Sequence, residues 1–142
     1  EIGHGKSRQV AKRGEYVQCF DDRIGRLAGA LDAGIRDDED GWDAVVSIFA
    51  HVPPETRESL HRKIVHGLRS GGMLVLEAYT PEQISLGTGG PPVTEMTMTL
   101  QALQRELDGL IFSHAEELRR DVIEGRLHTG TGAVVQLLAV KP

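Results

Sequence analysis

The chain has 142 residues, the length of one domain with room for a real core. Its 39% hydrophobic and 26% charged content is that of an ordinary globule, and the net charge of −5 argues against a general nucleic-acid binder, which would carry a basic stripe. No apolar run approaches the ~20 residues that span a bilayer and no signal peptide is visible; the lone Cys19 excludes an internal disulfide, so a reducing cytoplasm is expected.

In chain order, Glu1 and Ile2 read as the end of a strand, and "GHGKSR" as a turn into a short helix over 7–13 that Gly14 ends. "EYVQCF" reads as a strand ending at Asp21. A helix over 22–33 and the acidic, solvated turn "RDDEDG" lead to Trp42. "DAVVSIF", 43–49, is apolar and β-branched, as a buried strand is. The helix in "PPETRESLHRKIVHGLR" has Leu60, Ile64, Val65 and Leu68 on one face. Pro53 and Pro54 sit where a helix start tolerates proline. "SGG", 70–72, reads as the helix stop, and "MLVLEAY", 73–79, as a second buried strand joined to the first by a right-handed parallel crossover.

"TPEQISLGTGGPPVTEM", 80–96, is too rich in glycine and proline for a regular element, and loops of this kind are often lids. A helix from about Thr97 to Leu107 follows. "LIFSHAEELRRDVIEG" reads as a strand throughout or a strand followed by a helix; a long strand with a break is favoured, because "GAVVQLLAVKP", 132–142, reads as the strand that pairs with it in a hairpin. No internal repeat appears.

The candidate chemistry gathers at strand ends. "EIGHG" puts Gly3 and Gly5 at a strand-to-helix turn, where missing β-carbons admit a ligand to the backbone. Asp21 stands at the next strand end, where a carboxylate can hold ribose hydroxyls. A plain turn explains the same residues. "GKS", 5–7, matches the tail of a phosphate loop, but "RQVAKRG" after it is too polar and short for the buried helix such a loop opens. His51 is a candidate general base or an oriented loop residue. Glu77, a carboxylate inside a buried strand, needs a partner or an open strand end. Tyr79 points to the same side. His128, in the hairpin loop, is a second candidate base or an exposed loop residue. No metal site is expected, because His61 and His66 are five apart and miss the i,i+4 spacing of a helical ligand pair.

Taken together, "WDAVVSIFAHVPPETRESLHRKIVHGLRSGGMLVLEAYTPEQISLGTGGPP" and "EGRLHTGTGAVVQLLAVKP" resemble the class I S-adenosylmethionine-dependent methyltransferases. The likeness is greatest to their small bacterial branch related to the tellurite-resistance methyltransferases, and it covers roughly 42–142. The resemblance implies a single α/β domain: a Rossmann-like, mostly parallel sheet with helices on both faces and a C-terminal antiparallel hairpin. Residues 1–41 form a shortened cofactor-loop region; Lys6 and Ser7 depart from the family pattern, and 22–41 is too short for the usual second helix and third strand. The implied cofactor is S-adenosylmethionine, bound by Glu1, Gly3, Gly5, Asp21, Ser47, Ile48 and Phe49. The implied acceptor is a small molecule near Glu77, Tyr79, Gly89 and Gly90, with His51 and His128 as catalytic candidates. The expected enzyme is a monomer or homodimer with no nucleic-acid or membrane partner. The alternatives are a non-catalytic binding module of the same fold, and a nucleotide-binding domain using "GHGKS".

Overall fold

The computed structural model describes residues 8–12, 15–19, 41–123 and 129–142, the first two segments by their backbone pairing alone. Glu1, Gly3, Gly5, Asp21, His128 and the expected helix over 22–33 lie outside the described residues. The strands are β1 (Arg8–Lys12), β2 (Glu15–Cys19), β3 (Trp42–Ile48), β4 (Leu68–Tyr79), β5 (Ile111–Ile123) and β6 (Thr129–Val140). They form one mixed sheet in the order β2-β1-β3-β4-β6-β5. The helices are α1 (Pro54–Gly67), α2 (Gln83–Leu86) and α3 (Leu100–Glu106).

The strand–helix–strand reading of 43–79 and the terminal hairpin both hold. β3 and β4 are parallel, from Ala44 opposite Met73 to Ile48 opposite Glu77. β5 and β6 pair antiparallel over their whole length, with a register shift between Phe112 and His114. The sheet, however, is not mostly parallel. β3–β4 is its one parallel pair among the described residues; β1 pairs antiparallel with both β2 and β3, and β4 with β6. The helix expected over 7–13 is also replaced, since Arg8–Lys12 is β1. A polar five-residue segment nucleates a helix poorly, and here β2 and β3 offer it backbone partners on both sides.

α1 begins at Pro54, whose missing N–H would have been unpaired in a first turn anyway. Leu60 and Ile64 fall on its inner face and join Trp42, Val45, Leu74, Leu76 and Leu137 in the main core, to which α3 adds Leu103 and Leu107. Each fully buried side chain of this kind stabilises the fold by about 1.5–3 kcal/mol. α1 and α3 therefore pack on the same face of the sheet. On the opposite face Phe49, Tyr79, Val122 and Val134 form a second, smaller cluster.

The glycines at 70–72 do not stop α1 ahead of a gap. β4 already starts at Leu68 and runs through them. Gly71 donates its N–H to Lys141 O (2.8 Å), and Gly72 O accepts from Lys141 N–H (2.9 Å). A β-carbon on Gly72 would sit 2.7 Å from Trp42 O, and Gly71 has φ +76°. Close backbone approach, rather than helix termination, is what requires glycine there. The helix expected over 97–107 is likewise shorter than read. It begins at Leu100, capped by Thr99 Oγ1, which accepts from Ala102 N–H at 3.2 Å.

Candidate functional site

The carboxyl ends of the parallel pair β3–β4 are where an α/β sheet places a ligand site, and the backbone there is unusual. Val45 and Ser47 alternate toward the helix-covered face, so Phe49 would follow them. Instead Phe49 has φ +51°, and its ring joins the cluster on the opposite face. Its N–H still donates to Glu77 O at 2.7 Å, so the turn comes after the last rung of the ladder. A left-handed conformation in a bulky residue costs of order 1–3 kcal/mol and persists only where surrounding contacts impose it.

Those contacts are aromatic. The Phe49 and Tyr79 rings stack at 4.5 Å, and His51 stacks on Tyr79 at 5.5 Å. The "IFAHVPP" segment thus folds back so that His51 lies over the end of β4. His51 Nδ1 is 2.9 Å from Met96 O, and the Tyr79 N–H points at His51 Nε2 at 3.3 Å. A carbonyl accepts and an N–H donates, so Nδ1 carries the proton and Nε2, unprotonated, accepts the hydrogen bond from Tyr79 N–H. His51 therefore ties the 94–96 turn to the end of β4. For it to serve as a base, Nε2 must first release the Tyr79 N–H.

The loop after β4 is anchored rather than loose. Gln83 is fully buried. Its Nε2 donates to Thr88 Oγ1 and Gly89 O, both at 2.9 Å, and its Oε1 accepts from Ala133 N–H at 2.9 Å. Thr88 Oγ1 donates in turn to Thr131 O at 2.7 Å. Gly89 and Gly90 both have positive φ. A β-carbon on Gly90 would meet the Tyr79 ring at 3.0 Å, so that glycine lets the loop lie on the aromatic cluster. A cleft of about 500 Å³ opens beside this end of β4, lined by Thr80, Pro81, Glu82, Thr99, Glu117, Leu118 and Arg119.

Glu77 has the partner that its position demanded. Arg120 brackets Glu77 Oε1 with two nitrogens, the Nε contact being 2.7 Å, and Gln136 Nε2 approaches Oε2 at 3.3 Å. This carboxylate is committed to β5 and β6. Ser47 and Ile48 are half-buried beside Glu77. The structure thus brings Phe49, His51, Tyr79 and Gly90 together at one strand end, while Glu77 faces Arg120.

A second polar cluster escaped sequence reasoning. Arg57 and His61, one turn apart on α1, converge on Glu106 of α3. Arg57 donates to both Glu106 oxygens (2.7–3.1 Å), and His61 Nδ1 donates to Oε2 at 2.6 Å. Arg57 also donates to Thr97 O at 3.1 Å. Burial raises the pKa of the Glu106 carboxyl, but the bonds from His61 and Arg57 outweigh it and bring it down to about 2. The i,i+4 spacing of Arg57 and His61 was the available signal; their partner, 45 residues beyond His61, could not be read. A 480 Å³ cavity beside it is lined by residues of α1 and the α3 end, and by no strand end. No group of three metal-ligating side chains occurs among the described residues. No helix among them is long and apolar enough to cross a membrane.

The fold is similar to that of S-adenosylmethionine-dependent methyltransferases. Similar solved structures are TehB from Haemophilus influenzae (TM-score 0.56, 17% identity, 79% of this chain and 38% of that one) and a SAM-dependent methyltransferase from Methanosarcina mazei (0.55, 14%, 79% and 64%). Another is the protein of a structure on conversion of a disulfide bond into a thioacetal group during echinomycin biosynthesis (0.53, 11%, 79% and 53%). The chain thus spans between about two-fifths and two-thirds of the length of these proteins. No protein-family model and no curated protein sequence matches it.

Proposed function

We propose that this chain transfers the sulfonium methyl of S-adenosylmethionine to a small-molecule acceptor. The observation that carries the reading is the turned-back tip of β3. In a methyltransferase-like fold, left-handed Phe49 and the Phe49–Tyr79–His51 stack lie at the carboxyl end of the parallel pair, where backbone strain tends to mark function. Half-buried Ser47 and Ile48 at the end of β3, with Phe49 behind them, are proposed for one wall of the cofactor site. Glu1, Gly3, Gly5 and Asp21 are proposed for the opposite wall. When bound, the cofactor supplies an electrophilic methyl group; the chain's part is to orient the acceptor and exclude water. Gly89, Gly90 and Tyr79 are proposed to border the acceptor, with Glu77 behind them. His51 and His128 are the proposed bases for an oxygen or nitrogen acceptor; a softer acceptor needs none. A cytoplasmic location is part of this proposal.

One observation favours a second reading, a binding module that keeps the fold without catalysis. The segment after "EIGHGKS" is a strand antiparallel to β3, not the helix that should follow a cofactor turn. Calorimetry with S-adenosylhomocysteine separates the two. Binding with a dissociation constant of about micromolar order is expected, weakened at least tenfold by Asp21→Ala, since a charge-assisted bond is worth about 1.5–3 kcal/mol. No heat of binding would favour the module, and a preference for ATP would favour phosphate recognition by "GHGKS".

A further inference from the structure

β5 is the last strand of the sheet and pairs only with β6 among the described residues. It is 13 residues long, well beyond the usual strand, and a long open edge offers its backbone to any strand that fits it. It carries no proline, and Ile111 and Ile123 stand exposed at its two ends; the charges at its centre turn away most strands and admit one of complementary pattern. At its centre is "EELRR", 116–120, two acids and two arginines placed symmetrically about Leu118.

We propose that two copies of this chain pair through their β5 edges, antiparallel, about a twofold axis at Leu118. In that register Glu117 stands opposite the partner's Arg119, and Glu116 opposite the partner's Arg120. Leu118 meets its own copy. Opposed residues in an antiparallel pair share a face of the sheet, and opposite charges there attract while like charges repel. Moving the axis by one residue, to Glu117 or to Arg119, sets that charge opposite its own copy, so the pattern selects the register. Such an interface is isologous and closes at two copies. Glu116, Glu117 and Arg119 are exposed, and Leu118 is half-buried. In the single chain Arg119 pairs with Glu82, an exposed contact that contributes little and is free to exchange. Arg120 keeps Glu77 as its main partner, and Glu117 accepts from Leu100 N–H at 2.6 Å through one oxygen, an exposed bond that leaves its other oxygen to face the partner copy, so the Glu117–Arg119 pairs carry most of the selectivity. Glu117 and Arg119 also line the 500 Å³ cleft, which the paired copy would border.

Sedimentation of the wild-type chain over a concentration series in low salt tests this, with twice 15.5 kDa as the expected mass. Glu117→Arg and Arg119→Glu each set like charges across the axis and should weaken the dimer by roughly tenfold or more. Mixed in equal amounts, the two variants should pair again, because each then meets its opposite. As a measurement independent of charge, Leu118→Cys in a Cys19→Ser background should form an intermolecular disulfide under mild oxidation. A wild-type chain that stays monomeric, a mixture no tighter than its parts, or an absent cross-link overturns the proposal.

Discussion

Glu106→Ala is expected to destabilise the chain by about 3–5 kcal/mol, the usual cost of removing one partner from a buried ion pair. Arg57 is only 7% exposed, and without the carboxylate its guanidinium keeps just two backbone acceptors, Glu95 O and Thr97 O. The penalty is mainly that of a buried charge left uncompensated. If so, the double variant Arg57→Met with Glu106→Leu should recover part of the loss, because no buried charge is then left unpaired and the remaining cost is the His61 N–H without its acceptor. Urea unfolding of the single and double variants checks this through the midpoint at unchanged slope. The pH dependence has a defined sign. A carboxyl held at about 2 when folded and at its ordinary value when unfolded stabilises the fold above pH ~4.5. That contribution is lost as pH falls from there through about 2. With allowance for partial solvent contact it amounts to about 2–3 kcal/mol, and Glu106→Ala should flatten the wild-type decline in this window.

Gln83→Leu is expected to cost about 2–3 kcal/mol and to release the loop that Gln83 holds. Its amide completes the β4–β6 ladder where β4 has already ended. Thr80 N–H donates to Ala133 O at 3.0 Å, and the next rung, Ala133 N–H, goes to Gln83 Oε1 instead of to a strand. Leucine fills the volume but leaves that buried N–H unsatisfied, a penalty of about 1–3 kcal/mol, and it frees Gly89 O and Thr88. Hydrogen exchange should then quicken at Ala133 and over 87–90 with little change in β5. A loop already mobile in the wild type would show no such contrast. This anchoring also qualifies the lid expected from composition: any closure over a ligand must hinge outside the Gln83 contacts.

Much of the architecture was legible in local pattern. β3, α1, β4 and the β5–β6 hairpin each carry a run of apolar residues at strand or helix spacing between turn residues, and local pattern suffices when the same face is buried along the whole element. The glycines of the 80–96 loop were legible for the same reason, since backbone punctuation is a property of a few adjacent residues. The likeness to methyltransferases over 42–142 was legible too, because its motifs lie within continuous segments.

What required the folded chain is whatever depends on a partner distant in sequence. "RQVAK" became a strand because two neighbours supplied hydrogen bonds, and the "SGG" segment joined β4 because Trp42 and Lys141 lie against it. Alternation along β3 sends Phe49 to the helix side; a positive φ, held by Tyr79 and His51, sends it to the other. His51 carries no local sign that Met96 O and the Tyr79 N–H would occupy its two nitrogens. Glu77, read as facing either a partner or a pocket, found Arg120 at a separation of 43 residues. Sequence periodicity reports which side of an element is buried, because burial depends on the element's own repeat. Which polar atom meets which is settled only when separate elements pack, since a hydrogen bond needs both groups within about 3 Å.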